Sequence, residues 1–86
     1  METFEYTIKD PVGLHARPAG LLAKACKSFP DAKVTITKDG KSAECVRLMA
    51  VMGLGIKCGD TVTFTVEGEN ASDVAAVLKV YCSENL

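Results

Sequence analysis

The sequence predicts a two-layer α+β fold in which helices cover one face of a small β-sheet. Three observations lead to this prediction. Four segments alternate apolar and polar side chains, the segments between them carry apolar residues at helical spacing, and no stretch is of low complexity. Because the strands are apolar on one side only, the helices are expected to share that side. We predict the element order β-α-β-β-α-β-α in one domain spanning residues 1–86.

The strands are predicted where the alternation is strict, at residues 3–9, 33–38, 41–45 and 60–67. Between the second and third strands, Asp39-Gly40 favours the positive φ angles of a two-residue hairpin turn. The side chains expected to face the core are Phe4, Tyr6, Ile8, Val34, Ile36, Ala43, Cys45, Val62, Phe64 and Val66.

Three helices are predicted from apolar periodicity. The first spans residues 18–29, with Pro18 at or near its first position, where a missing N–H costs nothing. The second, at residues 46–52, is short and very apolar, and the third begins after a capping Asn70 and runs to about residue 83. The apolar stripe of the first helix is Ala19, Leu22, Ala23, Cys26 and Phe29.

Composition and charge exclude several classes of function. A net charge of −1 and only three Phe and two Tyr argue against a nucleic-acid partner. No apolar run approaches the ~20 residues of a membrane span, so no membrane insertion is expected. Residues 1–12 lack the layout of a signal peptide. We therefore expect a cytoplasmic protein.

The cysteines are predicted to be reduced and buried. Cys26, Cys45, Cys58 and Cys82 contain no C-x-x-C pair, and each falls on or near an apolar-periodic position. Because the chain has a single histidine, no metal site is expected.

That histidine lies where a polar turn meets the first helix. His15 is followed by Arg17 and Pro18, so its imidazole is expected beside the unpaired N–H groups of a helix N-terminus. The backbone amides of Ala16 and Arg17, together with the Arg17 guanidinium, favour an anion at this point. We predict that the anion is a phosphoryl group attached to His15.

The run Gly13-Leu14-His15-Ala16-Arg17-Pro18-Ala19 resembles the active-site signature of the HPr family, the histidine-containing phosphocarriers of the bacterial phosphotransferase system. The likeness continues in Asp39-Gly40-Lys41-Ser42, which resembles the family's hairpin. Residues 48–56 resemble its short second helix and the exit from it. Length, spacing and element order are similar along the whole chain.

The resemblance implies an open-faced β-sandwich, with four antiparallel strands in the order 1-4-2-3 and three helices on one side. It implies that His15 accepts a phosphoryl group on Nδ1 from enzyme I, the phosphoenolpyruvate-dependent protein kinase. The group then passes to the A domains of sugar-specific permeases, and Arg17 contacts the phosphate. The chain is thus expected to be a monomeric carrier without a cofactor, and not an enzyme.

The resemblance also implies that the first and second helices form the docking surface for these partners. We expect Leu48 and either Val51 or Met52 to point outward, and Met49 to point partly inward. The predicted docking residues are Ala16, Gly20, Lys24, Lys27, Arg47, Leu48, Met49, Val51 and Met52.

One position departs from the family's pattern. In many relatives from Gram-positive bacteria, the residue that opens the second helix is a serine phosphorylated by a regulatory kinase. Allowing for one extra residue near Pro30, that position is Arg47 here. Arginine has no hydroxyl group, so we expect no regulatory phosphorylation at this position.

The sequence is also compatible with other functions. The chain could serve a nitrogen-related or dihydroxyacetone-kinase branch as an HPr-like carrier, or act as a non-catalytic interaction module through its Met-rich helix. An acylphosphatase-like enzyme would need a phosphate-binding loop and a positioned asparagine, and the sequence has neither.

Overall fold

The computed structural model describes all 86 residues and contains four strands and three helices. The strands pair in the order β1-β4-β2-β3, every pair is antiparallel, and the helices lie on one face of the open sheet. The predicted fold is therefore confirmed. The elements are β1 (Glu2–Thr7), α1 (Ala16–Lys27), β2 (Lys33–Lys38), β3 (Lys41–Glu44), α2 (Leu48–Met52), β4 (Thr61–Glu67) and α3 (Ala71–Asn85).

The strand register explains why the two faces of the sheet differ. One row across all four strands consists of Phe4, Phe64, Ile36 and Ala43, which point towards the helices. The neighbouring rows on the outer face are mostly threonine, and cross-strand hydroxyl pairs such as Thr37 Oγ1 and Ser42 Oγ lie 2.7 Å apart. Because side chains alternate along a strand, one face of the sheet is apolar and the other is polar and solvent-exposed.

The core lies between the sheet and the helices. The predicted stripe of α1 is confirmed at Leu22 and Cys26, which are fully enclosed, while Phe29 is only partly buried. Leu78 of α3 packs in the same cluster. No polar or charged residue is buried. None of the three helices combines the length and apolar character needed to cross a membrane.

Two predicted helix starts are displaced. α1 begins at Ala16, so Pro18 occupies its third position and not its first. Proline is tolerated there because the first-turn N–H groups have no partner within a helix. α2 begins at Leu48, two residues later than predicted.

Two side-chain predictions were wrong. Asn70 is the N-cap residue of α3, but its side chain makes no capping hydrogen bond, and its Oδ1 atom is buried without a partner. Cys58 is exposed because it lies in the turn before β4. Cys26, Cys45 and Cys82 are buried as predicted, and burial raises the pKa of the Cys82 thiol to about 12.

Lys38, at the end of β2, fixes the segment of residues 53–60 that follows α2. Its Nζ atom donates to the carbonyl oxygen of Gly55 and to Oδ2 of Asp60, both at 2.8 Å. The same carboxylate oxygen accepts the N–H of Lys57 at 2.8 Å. The hydrogen bond from Lys38, followed by that from the Lys57 amide, holds the pKa of Asp60 below its ordinary value.

We predict that Asp60→Asn lowers stability at neutral pH and that its effect shrinks in acid. Because folding lowers the pKa of Asp60, the unfolded chain binds the proton more readily, and stability rises with pH. The contribution is fully present above the unfolded pKa of about 4 and is lost as the pH falls through the folded value.

Urea denaturation at pH 7 and pH 3 measures the effect. Asp39→Asn, which removes a carboxylate that forms no ion pair, is the control. An equal difference between Asp60→Asn and the natural protein at both pH values would contradict the assignment.

Candidate functional site

The loop between β1 and α1 is held in place by hydrogen bonds that its backbone N–H groups donate. The Val12 N–H donates to Oδ1 of Asp10 at 2.9 Å, and the Gly13 N–H donates to the Asp10 carbonyl at 2.9 Å. The Leu14 N–H then donates to the carbonyl oxygen of Ile56 at 3.0 Å. The loop therefore reaches the first helix in a defined conformation, held against the segment of residues 53–60.

Gly13 allows the loop backbone to lie very close to the backbone of Ile56 and Lys57. Its φ is +83°, and a Cβ atom at this position would lie 2.7 Å from both the Ile56 carbonyl oxygen and Cα of Lys57. Both neighbours are backbone atoms, so they cannot move aside as a side chain could. Leu14 follows with its side chain buried in the core. Only glycine fits both the dihedral angle and the space.

His15 is the N-cap residue of α1. Its backbone is extended, with φ −89° and ψ −172°, and its carbonyl accepts the Ala19 N–H at 3.0 Å. The side chain is exposed and makes no hydrogen bond to another group of the protein. Both ring nitrogens are thus accessible to a partner, while the backbone of His15 is held.

The start of α1 presents donors that have no partner within the protein. The Ala16 and Arg17 amides make no backbone hydrogen bond, and Pro18 has no N–H. The Arg17 guanidinium is exposed and forms no ion pair. These donors and the positive end of the helix favour an anion beside the imidazole.

His15 and Arg17 share a shallow depression of about 310 Å³. It is lined by Asp10, His15, Arg17, Pro18, Leu21 and Asn85. No three His, Cys, Asp or Glu side chains lie together in a way that could bind a metal ion. The arrangement combines one unpaired nucleophilic ring with donors suited to a small anion.

The predicted docking residues lie on α1 and α2, which pack against each other. Ala16, Lys24 and Lys27 are exposed on α1, and Gly20 is half-buried. Arg47 is the N-cap residue of α2, is exposed, and donates from Nε to Oε2 of Glu44 at 3.0 Å.

The structure corrects the predicted orientation of α2. Val51 is only 1% exposed and belongs to the core, so it cannot contact a partner. Met49 is 77% exposed and not partly inward, whereas Leu48 is half-buried and Met52 is 36% exposed. Because residues three apart share a helix face, Leu48 and Val51 turn inward together and leave Met49 outside.

Sequence reasoning missed three residues at this site. Leu21 is 48% exposed and lies one turn after Arg17, outside the buried stripe, which is a signal that could have identified it. Asp10 belongs to a recognisable turn sequence, but nothing local places it beside the histidine. Asn85 comes from the far end of the chain, and no sequence pattern indicates its position.

Comparison with known proteins identifies similar sequences and structures. A family model described as "PTS HPr component phosphorylation site" matches residues 2–84. The phosphocarrier protein HPr of Mycoplasma genitalium is 32% identical over 85 residues, covering 99% of this chain and 97% of that protein. A solved Mycoplasma histidine-containing phosphocarrier protein is 36% identical, has a TM-score of 0.85, and covers 91% of this chain and 88% of its own. The structure of an HPr dimer from Thermoanaerobacter tengcongensis is 29% identical with a TM-score of 0.71, and the match covers 100% and 99% of the two chains.

We predict that Gly13→Ala destabilises the protein by about 2–4 kcal/mol, because it combines a strained φ with a backbone clash. Gly40→Ala is the matched control, since Gly40 has a φ of +81° but no atom within 4 Å of a Cβ. The control should cost only the dihedral strain, about 1 kcal/mol. Urea denaturation of both variants measures the difference. Equal destabilisation would show that the contact with Ile56 and Lys57 is unimportant.

Proposed function

Because the chain belongs to the HPr family of the bacterial phosphotransferase system, we propose that His15 carries a phosphoryl group between two protein partners in the cytoplasm. The donor is phosphorylated enzyme I, and the acceptors are the A domains of sugar-specific permeases. The observation that carries this proposal is the exposed, unpaired imidazole at the N-cap of α1, beside two free amides and Arg17.

The transfer needs little from this chain except an accessible nucleophile. The lone pair on Nδ1 of His15 forms the new N–P bond, while the electron pair of the breaking bond returns to the carrier atom of enzyme I. Imidazole suits the step because a ring nitrogen offers a lone pair for the new N–P bond. The small neighbours Ala16, which is exposed, and Gly20, which is half-buried, leave room for the donor's active site. In-line alignment is then supplied by the partner enzyme.

The helix N-terminus holds the phosphoryl group after transfer. The free amides of Ala16 and Arg17 and the Arg17 guanidinium face a group carrying up to two negative charges. Charge–dipole contacts at an exposed helix end contribute only ~0.3–1 kcal/mol each. Weak holding suits a carrier, because a tightly bound phosphoryl group would have a lower transfer potential and would not move on.

The docking surface follows from the exposure of α1 and α2. Leu21 lies in the same depression as His15, and Met49 and Met52 are exposed on α2, which packs against α1. Lys24 and Lys27 add positive charge along α1. We propose that enzyme I and the permease domains bind this apolar, basic surface, and that the chain acts as a monomer.

Arg47 removes one form of regulation from the proposed function. It opens α2, where many Gram-positive relatives are expected to carry the phosphorylated serine, and its side chain pairs with Glu44. A corepressor role that depends on phosphoserine at this position is therefore not proposed for this chain.

We predict that incubation with phosphoenolpyruvate, magnesium and enzyme I adds the mass of one acid-labile phosphoryl group, and that His15→Ala abolishes the gain. Arg17→Ala should slow phosphorylation about tenfold to a hundredfold, since one charge-assisted contact is lost. Lys41→Ala removes an exposed cation on the hairpin between β2 and β3, outside the proposed docking surface, and is the control. Labelling of His15→Ala would overturn the proposal. If the natural protein is not labelled, a non-catalytic interaction module becomes the better hypothesis. If only the phosphoryl donor of a nitrogen-related or dihydroxyacetone-kinase branch labels it, the chain is a carrier of that branch.

We predict that Met49→Asp raises the KM for phosphorylation by enzyme I at least about tenfold while the protein stays folded. A charge in the centre of an apolar contact must be desolvated on binding, whereas the free side chain lies in water. Val80→Asp is the matched control, because Val80 is 57% exposed on α3, which is not part of the proposed docking surface. Steady-state kinetics and circular dichroism measure the two effects. If both variants change KM equally, α2 is not the docking surface.

A further inference from the structure

Asp10 holds the histidine loop by one carboxylate oxygen. Its Oδ1 atom accepts the Val12 N–H at 2.9 Å, and its carbonyl accepts the Gly13 N–H at the same distance. The Lys9 and Asp10 amides in turn donate to the carbonyl oxygen of Leu86, at 2.8 and 2.9 Å. The backbone of Asp10 is thus held in the loop that follows β1, and its carboxylate stays close to that loop.

The charge of Asp10 is not neutralised. None of the three ion pairs of the protein includes it, and its second oxygen has no hydrogen-bond partner. The same is true of the Arg17 guanidinium. Asp10, Arg17 and His15 nevertheless line one depression of about 310 Å³. The site therefore contains one fixed negative and one positive charge that do not pair with each other.

We propose that Asp10 is a positioning residue whose charge also sets how strongly the phosphoryl group is held. This inference rests on the proposed function of His15. One oxygen orders the loop that presents the imidazole, and the carboxylate repels the negative phosphoryl group that Arg17 attracts. The repulsion raises the transfer potential of the phosphorylated protein and so favours passage of the group to the next acceptor.

Asparagine separates the two effects. Asp10→Asn keeps an oxygen that can accept the Val12 N–H but removes the charge. Asp10→Ala removes both the acceptor and the charge. Asp31→Asn is the control for a change of net charge, because Asp31 lies beyond the opposite end of α1.

The measurement is the equilibrium constant for phosphoryl exchange between phosphorylated enzyme I and each variant. We expect Asp10→Asn to shift this equilibrium towards the phosphorylated carrier about threefold. The substitution removes the repulsion between two like charges, the Asp10 carboxylate and the phosphoryl group, across a depression of this size. The shift should decrease when salt is raised from 0.01 M to 1 M, which shortens the screening length from about 30 Å to about 3 Å. A merely structural role of Asp10 would not give a salt-dependent shift.

Asp10→Ala tests the positioning. It should show a similar shift in the equilibrium and, in addition, a KM for enzyme I raised about fivefold over that of Asp10→Asn. Equal KM values for the two variants would overturn the positioning role. An equilibrium constant for Asp10→Asn equal to that of Asp31→Asn would overturn the electrostatic role while leaving the function of His15 intact. Failure of the natural protein to become phosphorylated would instead overturn the proposed function, and this inference with it.

Discussion

The candidate site depends on the close contact between residues 13–14 and the segment that follows α2. Gly13 has no side chain, so the backbone lies directly on Ile56 and Lys57, and the Leu14 amide bonds to the Ile56 carbonyl. That segment is itself held by Lys38 at the end of β2. Through this path the sheet fixes where α1 begins. The backbone that carries the exposed His15 ring is therefore held in place, although the ring itself makes no hydrogen bond to the protein.

Much of the fold could be predicted because its elements have simple periods. Strict alternation in Thr61–Glu67 and Lys33–Lys38 indicated both the strands and their buried faces. Helix ends were harder to predict, because proline is tolerated throughout a first turn and so does not mark a single position. The orientation of α2 was harder still. Five residues give less than two turns, so Leu48–Met52 has no period from which an inward face can be identified.

The site itself was only half predictable. His15 and Arg17 are close along the chain, and their chemistry is apparent from the sequence. Asp10 and Asn85 meet in the same depression because the end of α3 lies against the end of β1, through hydrogen bonds to Leu86. No local pattern connects residues so far apart in sequence. Cys58 shows the same limit, since an apolar-looking position in a turn proved to be exposed.

The two free amides at the start of α1 have a consequence for complex formation. In the isolated protein, the Ala16 and Arg17 N–H groups have no acceptor within the chain and lie at an exposed helix end, where water is available to them. A docked partner that covers this helix end removes water from the two amides. If neither this chain nor the partner carries a phosphoryl group, the amides then gain no new acceptor. Each buried amide left in this state costs about 1–3 kcal/mol. Under the proposed function, two unloaded proteins would therefore bind each other less tightly than a pair that holds a phosphoryl group, and they would not occupy each other's docking surfaces.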